Sequence, residues 1–386
     1  MKIIYFCDAS FQHTENIGGH VSHVIGVIEA FRNLGYEVAI ASPGDIPYIN
    51  MDEYTHIKLP STHIQVPKIG TLLREWKVIN TVLRYIPAFE PHFIYARWPN
   101  NIFFKRIRKR YPRLPILLEC NTPFTMGKKK KIISKRMNSQ IQDKQNITIS
   151  SIISAVSDTV RLHLVNTFNS GVERKVFTNP NGVNVEKFKP MISDLREEFN
   201  IDENIPIIGF SGHFHTWHRI DILIKAVQSL TLDFRLLIIG RGENKLENEL
   251  RDLAKYKYSD KIIFTGSKAF TKIPEYLSIC DILVVPQDKD QKKGSHGSPL
   301  KLFEYMAMGK AIAAANVGQI PTIIKNGDNG ILFEPDPKNL ADVLKCLIED
   351  EGLRNRLGIR AREDVVRQYS WEANVSRILN AMPSSS

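Results

Sequence analysis

Apolar and polar positions along this chain fall into two alternating patterns. Short apolar runs, of the length of buried strands, separate stretches in which apolar residues recur every three or four positions, as on one face of a helix. In the first half the runs lie at 2–7, 37–41, 55–59, 93–96, 115–120, 151–156 and 175–178, with helical stretches at 19–34, 70–86, 99–110 and 157–168. Asn181-Gly182 breaks the pattern and Phe188-Lys189-Pro190 reads as a linker. The alternation then restarts, with strands at 206–210, 235–239, 261–264, 282–286, 311–315 and 331–333. Helices fit 219–229, 243–256, 271–278, 299–308, 338–349 and 351–368. Strands alternating with helices predict parallel, doubly wound α/β sheets, and two such series predict paired Rossmann-like domains. Ligands of such domains sit at the C-terminal ends of the strands.

One stretch of this pattern carries recognisable chemistry. Residues 297–315, GSPLKLFEYMAMGKAIAAA, predict a tight turn, a helix from Pro299 to about Met308, a stop at Gly309 and a small-residue strand. The turn Gly297-Ser298-Pro299-Leu300 thus places the backbone N–H groups of its non-proline residues at the positive end of a helix, a setting that suits an anion. Lys301 and Glu304 are three residues apart and share a face one turn in. The first can meet a phosphate and the second can accept hydrogen bonds from a ribose diol. The plainer reading is an amphipathic helix with Leu302, Phe303 and Met306 in a core and two solvated charges.

Length and composition bound the rest. The 386 residues suffice for two domains, and 43% hydrophobic with 24% charged residues describes a folded, soluble chain. No apolar run reaches the ~18–20 residues that span a bilayer. The opening MKIIYFCDAS reads as a first strand rather than a signal peptide, so export is not expected. Cys7, Cys120, Cys280 and Cys346 show no CxxC spacing and read as buried free thiols of a reducing, cytoplasmic compartment. Charge is uneven: residues 1–190 hold 26 Lys+Arg against 14 Asp+Glu, and residues 191–386 hold 26 against 27. The basic excess concentrates at 105–110 (KRIRKR) and 128–131 (KKKK), which read as a solvated face or as contacts to an anionic membrane surface. These clusters lack interleaved aromatics, and no nucleic-acid partner is expected.

Segment 297–315 resembles the donor-site signature of glycosyltransferase family 4, retaining enzymes of the GT-B fold. Glu304 matches the second Glu of the family's Glu-x7-Glu pattern, which in that family holds the nucleotide ribose, while His296 stands at the first Glu. The resemblance runs along nearly the whole chain. Asn16-Ile17-Gly18-Gly19-His20 looks like the opening glycine loop, which in the family faces the donor phosphates. Ser154-Ala155-Val156-Ser157 and Asn179-Pro180-Asn181-Gly182-Val183-Asn184 resemble the interdomain stretch, with Asn184 where Asp is usual. Ser370-Trp371 resembles the start of a last helix that packs back on the N-terminal domain. The resemblance therefore implies an acceptor-side domain over 1–188, rejoined by 370–386, and a donor-binding domain over 189–369, with a cleft between them.

The family's phosphate clamp is altered here. Across Gly212-His213-Phe214-His215-Thr216-Trp217-His218-Arg219, the resemblance puts His213 at the usual Arg, His218 at the usual Lys and Arg219 at a Gly. Histidine is fully charged only when protonated, so Lys301, Arg219 and Arg241 become the expected sources of charge for the leaving pyrophosphate. In the first half, Asn121 falls nearest the position where the family often has a reaction-centre His, and Arg97 points to the same rim, so both are acceptor-side residues. Lys301, Asn121 and His213 are the residues nearest the reaction. His213 with His215, and the Asp288-Lys289-Asp290 pattern, raise a metal site, but neither has a complete ligand set and no metal is expected. The loop 287–296 reads as a polar lid.

What the resemblance implies is transfer of a hexose-type sugar from a nucleotide diphosphate sugar to the hydroxyl of a glycan or lipid-linked acceptor, with retention and without a further cofactor. Front-side attack, with the leaving phosphate taking the acceptor proton, is the route often proposed for such enzymes. Polysaccharide or glycolipid assembly at the inner face of the cell membrane is the implied setting. Two other classes stay open: a GT-B nucleotide-sugar epimerase or a phosphorylase, the latter needing a pyridoxal-phosphate lysine site for which no motif is present, and a sugar-nucleotide-binding scaffold, which the altered clamp and His296 keep in view. A Rossmann dehydrogenase is disfavoured, since no GxGxxG follows a predicted strand.

Overall fold

The computed structural model describes residues 1–8, 19–61, 67–126, 133–168, 171–289 and 297–382. The chain forms two compact units. The first is built on His20–Pro180, with the chain start and the segment from Asn374, and the second on Asn181–Ala373. The divisions fall at 180/181 and 373/374, where the sequence reading had 188/189 and 369/370.

In the first unit the strands are β1 (Lys2–Phe6), β2 (Glu37–Ser42), β3 (Thr55–Lys58), β4 (Phe93–Arg97), β5 (Ile116–Cys120), β6 (Ile152–Ala155) and β7 (Val176–Thr178). Its helices are α1 (Gly19–Asn33), α2 (Pro67–Phe89), α3 (Lys105–Arg110), α4 (Ile133–Ile149) and α5 (Asp158–Phe168). All strand pairs are parallel, in the order β3-β2-β1-β4-β5-β6-β7. Every strand of the expected pattern is present. Helix α3 starts later than the expected 99, and α4 was not foreseen. Its inward residues Ser139, Gln142, Asp143 and Asn146 are buried and polar, so it shows no apolar stripe.

The second unit holds α6 (Leu195–Glu198), β8 (Ile207–Ser211), α7 (Ile220–Gln228), β9 (Arg235–Ile239), α8 (Asn244–Lys255), β10 (Ile262–Gly266) and α9 (Ile273–Ser278). It continues through β11 (Ile282–Val285), α10 (Leu300–Ala307), β12 (Ala311–Ala315), α11 (Ile320–Ile323), β13 (Ile331–Phe333), α12 (Pro337–Glu349) and α13 (Glu351–Gln368). The sheet is again parallel, in the order β10-β9-β8-β11-β12-β13. Its strands read RLLII, ILVV and AIAAA because helices cover both faces. The strand order reverses between β8 and β11, and that switch point opens a crevice at the C-terminal strand ends.

Helix α14 (Trp371–Asn380) closes the chain. Its Asn374 amide donates to the Pro180 carbonyl (2.6 Å) and its Arg377 guanidinium to Asn179 (2.7 Å), both within the first unit. Cys7, Cys120 and Cys280 are buried free thiols, whereas Cys346 is exposed on the outer face of α12, a correction to its expected burial. Among the described residues no helix is long and apolar enough to cross a membrane.

Candidate functional site

In the second unit a cleft of about 170 Å³ opens at the β8/β11 switch point. Its walls include His218, Gln287, Gly297, Ser298, Pro299 and Lys301. The sequence pattern placed Pro299 in the first helical turn; it is the N-cap of α10, with extended backbone (φ −73°, ψ 110°). The turn before it is fastened by Asn181, whose backbone N–H donates to Ser298 Oγ (3.0 Å) and whose amide donates to the Ser298 carbonyl (2.8 Å). The N-terminus of α10 is thereby held at the cleft.

Next to Lys301 two backbone turns are in close contact. Gly212, after β8, and Gly240, after β9, have φ of +136° and +133°, and a Cβ on Gly240 would lie 2.1 Å from the Gly212 carbonyl oxygen. No side chain fits there. Phe214 N–H donates to the Arg241 carbonyl (2.8 Å), locking the two turns together. Above Gly212 lies Lys301, whose ammonium is 4.1 Å from the centre of the Phe210 ring and is itself buried, with no hydrogen-bond partner among the described residues. Burial lowers its pKa to about 7, against the pull of Glu304. One turn on, burial raises the Glu304 carboxyl to about 7, against the pull of Lys301. A buried, unpartnered cation and a partly protonated acid on one helix face leave both groups poised for a ligand that carries an anion and hydroxyls.

The altered clamp separates into distinct roles. Arg219 has a left-handed backbone (φ 42°), the conformation that explains a glycine at this place in related chains, and caps the start of α7. Its guanidinium makes two hydrogen bonds to Asp221 (2.9 and 3.0 Å) and lies 4.0 Å from Asp288. In the ligand-free chain its charge thus faces two carboxylates rather than the cleft lining. His218 is neutral in the ligand-free chain: burial, with Lys301 next, lowers it to about 2. His213 is exposed, its ring tilted against that of His215 (4.6 Å, 57° between planes), and the Arg241 side chain is exposed on the turn after β9. Leu300 opens α10. Trp217, which the sequence reading passed over, lines the same cleft with its indole stacked on His215 (4.0 Å, 15° between planes).

Among the described residues no three His, Cys, Asp or Glu side chains are arranged to hold a metal ion. Gly18, His296, Asp290 and most of the proposed lid lie outside the described residues; Gly19 is the first residue of α1.

The first unit brings Arg97 and Asn121 together on the rim of its own sheet. Arg97, the last residue of β4, donates to Glu119 (3.2 Å) and to the His20 carbonyl (3.3 Å). Asn121, with its amide oxygen turned toward the guanidinium, accepts from Arg97. Behind them Glu119 is buried among Tyr95 Oη (2.5 Å), His23 Nε2 (2.8 Å) and Arg97. Burial alone would raise this carboxyl, but His23, Arg97 and Tyr95 outweigh it and hold it at about 2. An acid inside the apolar strand ILLEC was the sequence signal for this cluster; His23, on an apolar helix, gave none.

Comparisons with known proteins agree along the chain. The model for "Glycosyltransferase Family 4" matches residues 17–187 and that for "Glycosyl transferases group 1" matches residues 191–364. N-acetyl-alpha-D-glucosaminyl L-malate synthase of Bacillus anthracis is 30% identical over 193 residues, 49% of this chain and 48% of that one. Phosphatidyl-myo-inositol mannosyltransferase of Mycolicibacterium smegmatis is 24% identical over 390 residues, 98% and 92% of the two chains. Among solved structures, Anabaena HepE in complex with UDP-glucose superposes with a TM-score of 0.73 at 18% identity, covering 98% of each chain. The matched stretch spans about half the length of the curated relatives that align first. With two parallel doubly wound units and consecutive family matches over both, this chain belongs to the family 4, group 1 glycosyltransferases and has the GT-B fold.

Proposed function

We propose that this protein is a retaining glycosyltransferase that moves a hexose-type sugar from a nucleotide diphosphate sugar to an acceptor hydroxyl. The observation that carries the reading is Lys301: a buried ammonium without a partner, beside the N-terminus of α10 and one turn from Glu304. A diphosphate bridges the ammonium and the free N–H groups of that turn, and Glu304 as carboxylate accepts from the ribose diol. As the bond from the sugar C1 to the phosphate oxygen breaks, Lys301 and the helix end stabilise the charge that develops there. The acceptor oxygen bonds to C1 on the face the phosphate leaves, and its proton passes to the leaving phosphate. No side chain need serve as nucleophile, and no metal is needed to offset the leaving charge. In the first unit, Arg97 and Asn121 are the acceptor-side residues.

The acceptor is a glycan or a lipid-linked glycan, and the setting is the cytoplasmic face of a membrane. Support for a membrane comes from the first unit. Exposed Lys105, Lys109 and Arg110 of α3 lie in the same unit as exposed Leu72, Leu73 and Trp76 of α2, and Arg106 stacks on the Trp76 ring at 5.8 Å. The second basic run, 128–131, lies outside the described residues. Incubation with a panel of UDP-, GDP-, ADP- and dTDP-sugars, with proton spectra of any product, tests the reading. Turnover with an α-configured product from an α-configured donor is expected; inversion contradicts it, and so does binding without any turnover, the behaviour of a scaffold.

A further inference from the structure

The ring of His218 packs among Phe210, His215 and Trp217 and is oriented by a hydrogen bond. Its Nδ1 lies 2.7 Å from the His213 carbonyl oxygen. A carbonyl only accepts, so Nδ1 carries the proton and donates it. The charged groups facing the ring are Lys301 and the neighbouring His213 and His215, all of which disfavour a second proton. The neutral ring therefore has Nε2 bare, as an acceptor, on a residue that lines the cleft. Diphosphate oxygens are acceptors as well, and two acceptors facing one another make no bond. What suits Nε2 is an O–H donor. Beside it Trp217, Val285 and Pro286 give the cleft an apolar stretch of wall, followed by Gln287, and such a stretch suits the C–H face of a sugar better than a phosphate.

We propose that His218 is a specificity residue that accepts a hydrogen bond from a hydroxyl of the donor sugar, rather than a member of the phosphate clamp. This rests on the nucleotide-sugar reading of the cleft. It places the sugar contact on the loop between β8 and α7.

His218→Asn tests it, because the Asn amide can still donate to the His213 carbonyl while nothing remains at the position of Nε2. Wild type and variant are titrated calorimetrically at pH 8 with UDP and UDP-glucose, GDP and GDP-mannose, and ADP and ADP-glucose. The diphosphate that binds the wild type should bind the variant within about twofold, and its sugar conjugate should bind about tenfold more weakly. Equal loss for diphosphate and conjugate, or no loss for either, overturns the assignment while leaving the nucleotide site intact. Binding of none of the three diphosphates to the wild type overturns the nucleotide-sugar reading and the assignment together. Nitrogen-15 spectra of histidine-labelled wild type at pH 7.5 give a check independent of the variant's folding. They should show His218 protonated at Nδ1 alone, and an Nε2–H tautomer or an imidazolium rules the assignment out.

Discussion

Lys301 and Glu304 are driven by the same burial in opposite directions, one toward losing its proton and the other toward keeping it. Both have pKa values of about 7 in the ligand-free protein. A bound diphosphate favours the ammonium and a bound ribose favours the carboxylate. Binding should therefore take up protons at pH 8, where free Lys301 is mostly neutral, and release them at pH 6, where free Glu304 is mostly protonated. Affinity then weakens as pH rises above about 7, from Lys301 rather than from the histidines. Titrations in buffers of different ionisation enthalpy measure both signs, and an exchange of zero at pH 8 counts against the assignment of Lys301. Replacing Glu304 by Ala should cost about 2–4 kcal/mol in kcat/KM, the scale of charged hydrogen bonds, with the melting temperature little changed. The spacing of these two residues was legible in the sequence. The pairing of Arg219 was not, because it depends on a left-handed backbone that aims the guanidinium at Asp221.

At the scale of elements, buried carboxylates organise the rim of the first sheet. Glu119 on β5 gathers Tyr95, His23 and Arg97, while Asp143 on α4 accepts from Trp98 Nε1 (2.9 Å), Phe124 N (2.9 Å) and Thr125 N (2.8 Å). Gln142 and Asn146 of α4 donate to the Pro99 carbonyl (3.2 and 3.1 Å), so residues 99–104 form turns instead of the helical start expected there. Hydrophobic periodicity cannot reveal such an element, since its inward face is polar; the strands, apolar on both faces, were legible throughout. Because Glu119 titrates at about 2 in the folded chain and near 4.5 when unfolded, it stabilises above pH 4.5 and loses that contribution as pH falls toward 2. Urea denaturation across pH 3–7 should show Glu119→Gln less stable at pH 7 but less acid-sensitive below 5. Glu119→Ala should lose about 3–5 kcal/mol at pH 7, the usual result of stranding buried partners. A variant as acid-sensitive as the wild type would mean that other carboxylates set the acid limb.

Over the whole molecule, the basic excess of residues 1–190 contrasts with the near-neutral remainder. Part of that excess is structural: Arg108 donates to the Ile149, Pro112 and Leu114 carbonyls, and Arg106 to Asn80. Lys105, Lys109 and Arg110 remain exposed, and neutralising the three should weaken sedimentation with anionic vesicles by about 1 kcal/mol per charge, as added salt should. Wild type that stays in the supernatant at low salt would remove the membrane from the account. If Lys301 and the end of α10 supply the leaving-group charge, as proposed, turnover should survive EDTA; loss restored by Mn²⁺ would bring Asp288 forward as a ligand. The chain's membership of a glycosyltransferase family was legible from residues 297–315 and the interdomain stretch, whereas the burial of Lys301 and Glu304 was not, because spacing does not encode side-chain placement. The central claim is that the β8/β11 cleft takes a nucleoside diphosphate on Lys301. Melting temperatures of wild type and Lys301→Ala with UDP, GDP, ADP and dTDP test it most directly. At 100 times its dissociation constant, one diphosphate should add about 2.7 kcal/mol to the wild type, a shift of several degrees, and little to the variant. No shift of the wild type with any of the four, or an equal shift in the variant, would contradict the claim.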